Sequence, residues 1–562
     1  MHHCLGRLPA RLAAPALILL SLVTATALAD DAEPTDASAH LLQAEIANER
    51  QDYARAVREY RLAAEKSKSV EIASRATRVA SSYGFSEDAL VAAERWLDLD
   101  PGSDEALFHV ARLKLRTGDI RGARRSYKAL IERSDGDQDR ALLSLIGVIT
   151  EEDAQAADEV MRWLARPYKE SGYAHYAVAV TALQADDVEH ARERVQLAME
   201  YAPDWNKPKL LYGRILLLDG ETDEAIDYVA RIIGDDPQPD PEARMELALI
   251  MMAAGRDDDA LSQVNQIQYE TGNNVDALRL MAIINFRQEN LDAAWEDFQD
   301  LLASGRHTMD ALYYMARIAD FREETDQAME LYDEVRTGTH AVAAQRRSAA
   351  IRAFNVEDED GALEHLDQFA SDNPNHAIDM VQAKAQLLAA LERYPEALEE
   401  YDRMIEFRPE SENVLLGRAE LLLRMERIED AVAQYRVAVK RFPESSLSLN
   451  ALGYTLADRT EEFKEAEKLI RKALKYDPEN PAIIDSLGWV LYKLGNNEQA
   501  LVELERAYER LEDPEVAAHI VEVLAALDRH DEALAFLESA EEKTPENELL
   551  EDVRERVFPS AD

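Results

Sequence analysis

Small residues recur along the chain in a regular pattern of apolar and polar positions. One series of alanines runs from Ala56 to Ala533 at intervals of 33 to 35 residues. A second small site lies twelve residues before most of these alanines, and larger apolar residues follow four and seven positions after many of them. Spacings of three and four place side chains on one helical face. The pattern predicts an all-α chain of about fifteen helix-turn-helix units, each with a helix A and a helix B, over Ser38 to Pro545.

Gly488 shows why the first site is small. Glycine inside a helix costs about 0.5–1 kcal/mol relative to alanine, so a packing reason is needed for it. Two helices approach closely where neither carries a bulky side chain at the crossing. We therefore expect Gly488 in helix A to pack against helix B near Ala500. The fourth unit is the weakest match, because Leu145 stands at its small site.

Glycine and proline mark the ends of the helices. Gly118, Gly220, Gly255 and Gly495 lie where a turn should join helix A to helix B, and positive φ is accessible to glycine there. Proline follows helix B in many units, because it cannot continue a helix but suits the entry to the next one. The closing prolines are Pro101, Pro203, Pro237, Pro374, Pro409, Pro443, Pro478 and Pro545.

The N-terminal segment predicts export. Arg7 and Arg11 precede an apolar run that ends in Ala27-Leu28-Ala29, which is typical of a secretory signal peptide cleaved after Ala29. An uncleaved membrane anchor is the alternative. The single cysteine, Cys4, precedes the apolar run, so no lipid-anchoring cysteine follows it and the mature chain has no disulfide. We expect a periplasmic protein with a signal peptide (1–29), a linker (30–37), the repeats (38–545) and a C-terminal capping helix and tail (546–562).

Composition argues against several classes of ligand. The 562 residues include 63 basic and 111 acidic ones, and the net charge of −48 disfavours nucleic acid and anionic lipid. No nucleotide-binding, metalloprotease or serine hydrolase motif occurs, and the histidines are scattered singly. Two acidic stretches, residues 135–139 and 356–361, lack the residues of a calcium loop, and we interpret them as solvated turns. We predict a non-enzymatic chain with no metal and no cofactor.

The repeat of small, aromatic and proline positions resembles the tetratricopeptide repeat. The resemblance implies a solenoid that winds into a right-handed superhelix, with a groove lined by helix A at repeat positions 2, 5, 9, 12 and 13. Arginine and aromatic residues at such positions are the types that anchor protein interfaces, although helix A residues also pack between repeats. The candidate partner-binding residues are Arg112, Tyr173, Arg214, Arg279, Tyr313, Arg317, Arg347, Tyr454 and Trp489. Phe286 shares their register.

The block from Leu449 to Ala540 is more particular than a generic repeat. Its segments "LGYTLADRT", "AEKLIRKAL" and "SLGWVLYKLG" resemble envelope repeat proteins of Gram-negative bacteria that include the lipoprotein partner of a carboxyl-terminal processing protease. The resemblance implies a non-catalytic adaptor that binds and activates a periplasmic serine protease and presents cell-wall hydrolases to it. The lipobox cysteine is missing here. A scaffold in an envelope assembly, such as polysaccharide export or outer-membrane biogenesis, is the alternative.

Overall fold

The computed structural model describes residues 36–50, 52–134, 136–234, 240–407 and 411–559. Over these ranges the chain is helical and contains no strand. The helices group into two compact units, residues 1–250 and 251–562, and the division falls inside the helix Pro241–Ala253. The predicted signal peptide, Pro237 and Pro409 lie outside the described residues.

Thirteen helices precede or contain the division at residue 250. They are α1 (Ala37–Glu49), α2 (Tyr53–Lys66), α3 (Val70–Ser82), α4 (Ser86–Leu99), α5 (Asp104–Arg116), α6 (Ile120–Arg133), α7 (Gln138–Ile149), α8 (Ala154–Ala165), α9 (Gly172–Gln184), α10 (Val188–Tyr201), α11 (Asn206–Leu218), α12 (Thr222–Gly234) and α13 (Pro241–Ala253).

The second unit continues the same alternation of helix A and helix B. Its helices are α14 (Asp257–Thr271), α15 (Val275–Arg287), α16 (Leu291–Ala303), α17 (Thr308–Phe321), α18 (Thr325–Glu334), α19 (Ala341–Phe354), α20 (Glu359–Asp372), α21 (Ala377–Ala390), α22 (Tyr394–Phe407), α23 (Glu412–Arg424), α24 (Ile428–Arg441), α25 (Ser446–Arg459), α26 (Phe463–Tyr476), α27 (Pro481–Lys493), α28 (Asn497–Arg510), α29 (Pro514–Ala526), α30 (His530–Lys543) and α31 (Glu548–Val557). A 3₁₀ turn, Pro374–His376, leads into α21. The helices α1 to α30 confirm the predicted all-α fold of fifteen helix-turn-helix units.

Polar side chains and left-handed residues set where the helices begin and where the turns fall. At the start of α27, Asn480 Oδ1 accepts a hydrogen bond from the backbone N–H of Ala482 at 3.1 Å, and Pro481 occupies the first helical position. Gly495 adopts φ 81° in the following turn, as its position predicts. The sequence did not indicate that Glu289 and Glu426, at φ 59° and 57°, take the left-handed conformation in the same place of other units.

The small sites are where helix A meets helix B. A Cβ atom built on Gly488 would lie 2.5 Å from Cγ of Leu504 and 3.2 Å from the carbonyl oxygen of Ala500. Gly213 and Gly453 face the residue at the same place of their own helix B: a Cβ atom built on them would lie 2.5 Å from Val229 and 2.6 Å from Ile470 respectively. These distances confirm the predicted close packing, because the residue four positions after each alanine fills the space that the missing side chain leaves.

The fourth unit departs from this arrangement, as Leu145 indicates. Helix α7 buries Leu142, Leu145 and Ile149 and packs more extensively on α9 than on its own partner α8. A leucine at the small site prevents the close approach that the other pairs make. The opposite side of α7 is left open, and a Cβ atom built on Gly147 meets no heavy atom within 4 Å.

The last helix covers the end of the second unit. Helix α31 packs against α29 and buries Leu550 and Val553 completely. Asn547 caps its N-terminus, with Oδ1 accepting from the backbone N–H of Leu549 at 3.1 Å. An otherwise open end of a repeat array needs such a polar cap to stay in solution.

Two glycine-to-alanine changes should have opposite effects on stability. Gly488→Ala should lower the free energy of unfolding by about 1–3 kcal/mol, because its Cβ would enter the space of Leu504. Gly147→Ala should raise it by roughly 0.5 kcal/mol, because alanine favours the helix and the site is open. Urea denaturation followed by circular dichroism measures both. A change of the same sign for the two variants would contradict the assignment of the small sites.

Candidate interaction groove

The helix A face of the second unit contains a hollow of about 670 Å³ between α21, α23 and α25. Gly417 lies in its wall, and a Cβ atom there would be 2.8 Å from the hydroxyl oxygen of Tyr401. The glycine therefore lets the tyrosine ring reach the hollow. The polar side chains that line it are Gln382, Gln386, Asn413, Glu420 and Arg424. Side-chain amides both donate and accept hydrogen bonds, so this surface suits a polypeptide main chain.

Most of the predicted groove arginines already bind carboxylates of a neighbouring helix A. Arg347 of α19 makes two hydrogen bonds to Asp320 of α17, at 2.6 and 2.7 Å. Arg279 of α15 makes a single hydrogen bond, from Nε, to Asp310 of α17. The parallel two-bond geometry of Arg347 fixes its guanidinium plane as well as its position. These arginines therefore hold successive repeats together. Packing between repeats was the alternative role expected for residues of helix A.

The first unit uses the same device. Arg214 of α11 makes two hydrogen bonds to Glu246 of α13, whose side chain is buried, and these bonds raise the pKa of Arg214. Arg112 of α5 donates to Glu151 at 2.7 Å and also to Glu152, in the turn between α7 and α8. Removing Arg214 would leave the buried Glu246 carboxylate without its partner, so Arg214 contributes to the stability of its unit.

Arg317 differs from the other groove arginines. Its side chain is exposed, and its guanidinium carbon lies 4.6 Å from the ring centroid of Phe286 and 5.9 Å from that of Tyr313. Within the described ranges no carboxylate forms an ion pair with it. Tyr313 is itself held by stacking on His340, with ring centroids 4.1 Å apart. The arrangement presents an exposed cation on a fixed aromatic surface.

The other two candidate tyrosines, Tyr173 and Tyr454, take part in contacts between repeats. The hydroxyl oxygen of Tyr173 accepts a hydrogen bond from Arg140 at 2.7 Å, and its ring centroid lies 5.0 Å from that of Trp205. The Tyr454 hydroxyl donates to Glu515, two repeats further along the chain. Burial and the neighbouring Glu515 carboxylate raise the pKa of Tyr454. Both rings remain partly exposed at the helix A face.

Trp489 belongs to the core of the second unit. Its side chain is 5% exposed, its ring stacks on His519 at a centroid distance of 4.0 Å, and Lys493 Nζ lies 4.3 Å from the ring centroid. His519 Nδ1 is 2.9 Å from Asp485 Oδ1, and both of these side chains are buried. The structure therefore brings Trp489 to the predicted face but covers its ring.

Two exposed phenylalanines lie at groove positions that the sequence reading passed over. Phe321 is 69% exposed at the end of α17, and Phe354 is 52% exposed at the end of α19. They occupy the repeat positions 13 and 12, and the second of these is also the position of Phe286. These repeat positions, which are among those expected to line the groove, would have identified both phenylalanines from the sequence. The bond between Arg347 and Asp320 holds the two helices side by side.

The described part of the chain contains neither a cluster of metal-ligating side chains nor a helix that could span a membrane. There, no group of three or more His, Cys, Asp and Glu side chains is arranged to hold a metal ion. In the acidic stretch 356–361, Asp358 caps α20 by accepting from the N–H of Gly361 at 3.0 Å. The other stretch, 135–139, is outside the described residues at Asp135. Among the helices that are described, none combines the length and the apolar content of a membrane span.

Comparison with protein families identifies the class of repeat. One tetratricopeptide repeat model matches residues 216–284 and 460–518, and a second matches residues 416–482. These matches show tetratricopeptide repeats at residues 216–284 and 416–518, and the fifteen helix pairs of the described residues form an all-α repeat fold. Repeats of this kind typically mediate contacts between proteins.

Similar proteins are found among both curated sequences and solved structures. A TPR repeat-containing protein of Pseudomonas aeruginosa is 28% identical over 487 residues, which cover 86% of this chain and 81% of that protein. The structure of Naa15/Naa10 bound to HypK-THB is 13% identical, covers 93% of this chain and 96% of that chain, and has a TM-score of 0.38. Yeast Tom70 is 15% identical, with 93% and 94% covered and a TM-score of 0.34.

The buried His519 and Asp485 pair should make stability depend on pH. Burial alone lowers the pKa of His519, but the bond to Asp485 and the charges of Glu515 and Glu522 outweigh it and raise the pKa. A raised pKa in the folded state stabilises the fold below about pH 6.5, and this contribution is lost as the pH rises through the folded pKa.

The unfolding free energy of the wild type should therefore exceed that of His519→Gln by more at pH 6 than at pH 9. Urea denaturation of both proteins at several pH values measures the difference. Lys493→Gln, which removes a cation near Trp489 but leaves the histidine pair, serves as the control. A difference that does not change with pH would contradict the proposed charge on His519.

Proposed function

We propose that the protein is a non-catalytic periplasmic adaptor for a carboxyl-terminal processing serine protease. It binds and activates the protease and presents cell-wall hydrolases as substrates. The resemblance of residues 449–540 to envelope repeat proteins supports the choice of partner, and the N-terminal sequence supports export. The tetratricopeptide repeats support binding of proteins as the general activity.

Arg317 is the observation that carries the interaction part of the proposal. It is an exposed arginine at a groove position, and it rests on aromatic rings with no carboxylate paired to it in the described residues. Arginine and aromatic side chains are enriched among residues that dominate binding energy. A carboxylate of a partner would find a free guanidinium fork here, and the exposed Phe321, four residues further along α17, would offer an apolar contact beside it.

Reversal of the charge at Arg317 should weaken binding of the protease at least tenfold, because it removes the fork and repels the partner carboxylate. Arg279 and Arg347 are poorer probes, because their reversal would also break the pairs that join α15, α17 and α19. Titration calorimetry with the purified protease measures the affinity of Arg317→Glu. Lys468→Glu, on the exposed side of α26, makes the same change in charge and should bind as the wild type.

The outcomes separate the parts of the proposal. Unchanged affinity and unchanged substrate turnover with Arg317→Glu would remove the groove as the contact surface. Hydrolysis of cell-wall hydrolases by the protein alone would contradict the adaptor role. Capture of export or outer-membrane assembly components, in place of a processing protease, from the native periplasm would favour the scaffold.

Export makes a separate prediction. Cleavage after Ala29 should give a mature chain that begins at Asp30, because the A-x-A site closes the apolar run there. Intact-mass analysis of the protein purified from the periplasm measures this directly. A chain that retains residues 1–29 would instead indicate an uncleaved anchor.

A further inference from the structure

A second hollow lies in the first unit, between α7, α9 and α11, and has a volume of about 530 Å³. It exists because α7 turns its large side chains, including Leu145, toward the core and leaves Gly147 in open space. Apolar side chains form most of its surface. They are Leu143, Ile146, Val180, Leu183, Trp205 and Leu211.

The two charged side chains that line this hollow are basic, and each is also paired with a glutamate outside the lining. Lys207 and Arg214 of α11 line it, and no aspartate or glutamate does, although the chain carries a net charge of −48. Arg214 uses Nε and Nη2 to bind Glu246, so its Nη1 group remains for a ligand. Lys207 Nζ is 3.4 Å from Glu242, and both of these side chains are about half exposed, so water and ligands reach the ammonium group.

The positions of the two cations define what the hollow can bind. Lys207 and Arg214 are seven residues apart on one helix, which separates their Cα atoms by about 10 Å along the groove. The neighbouring hollow beyond Trp205 is also lined by Lys207 and by Arg140, but Asp139, Glu170 and Asp204 outnumber these cations there, so it disfavours an anion. A carboxylate that pairs with Lys207 is thus favoured on the side of Trp205 that faces α7 and α9, where no aspartate or glutamate lines the hollow.

We infer that this hollow binds a partner segment in which a large apolar side chain is flanked by acidic side chains. The apolar side chain fills the space beside Gly147 and Ile146, and the carboxylates pair with Lys207 and Arg214. Apolar burial supplies the affinity, and the two cations supply orientation and selectivity. The inference rests on the proposed function only in that the chain binds other proteins, and it does not depend on which protease is the partner.

Gly147 allows the hollow to be closed without disturbing the fold. A side chain at this position enters open space, so Gly147→Phe should fill the hollow and fold normally. Gly147→Ala is the matched control, because its methyl group leaves most of the volume free. Lys207→Glu tests the charge, and Lys169→Glu, at an exposed site outside the hollow, makes the same change as its control.

The probe is a synthetic heptapeptide with acetyl and amide ends, a central Leu-Phe pair and aspartates on both sides. A second peptide carries asparagine and a third carries lysine in place of the aspartates. The capped ends exclude recognition of a free chain terminus. Fluorescence anisotropy of the labelled peptides with the full mature protein measures the affinities. We expect the aspartate peptide to bind at least tenfold more tightly than the lysine peptide, with the asparagine peptide between them.

Gly147→Phe and Lys207→Glu should each weaken binding of the aspartate peptide at least fivefold, and the two controls should not. Equal binding by Gly147→Phe and Gly147→Ala would overturn the location of the site. Equal affinity for the aspartate and lysine peptides would overturn the assigned ligand chemistry. Because the assay contains no protease, these results are independent of whether the protease binds near Arg317.

Discussion

The close approach of helix A to helix B at the small sites is the contact on which the structure depends. At Gly488 the absent side chain is replaced by Leu504, which stands four residues after the alanine of helix B. The same pairing at Gly213 and Gly453 shows that one local rule builds units in both halves of the chain. A helix pair cannot bury its apolar face alone, so the rule also forces each pair to stack on its neighbours.

The departure from that rule in the fourth unit creates a different surface. Leu145 is too large for the crossing, and α7 therefore packs chiefly on α9. Its turned face leaves Gly147 without neighbours and opens the hollow of the first unit. The packing constraint that builds the regular units thus also explains where a binding site can form, because a groove deepens where a helix fails to approach its partner.

The sequence predicts the helix pairs well because their signal is local. The period of small residues, the glycine turns and the prolines are all read within one unit, and the contact of Gly488 with Leu504 follows from them. The partners of groove side chains are less predictable. Arg347 binds Asp320 from the preceding repeat, and this choice depends on rotamers and on stacking between units, which the repeat pattern does not contain.

The candidate site was accordingly predicted only in part. Trp489 occupies the expected position, but stacking on His519 covers its ring, and no pattern within its own repeat indicates that contact. Phe321 and Phe354 were within reach of the sequence, since their register was known. Their exposure could not be read from register alone, because it depends on the absence of a neighbour.

The excess of carboxylates gives the remaining free cations their significance. With 111 acidic and 63 basic residues, a groove arginine that stays near its own chain finds a carboxylate, as Arg214, Arg279 and Arg347 do. Such pairs stabilise the repeats and occupy much of each guanidinium, although Arg214 keeps its Nη1 group free of Glu246. Arg317 escapes this because aromatic rings surround it. The aromatic rings stabilise the guanidinium by cation–π attraction but do not neutralise its charge. A protein partner with an exposed carboxylate can therefore recognise this arginine.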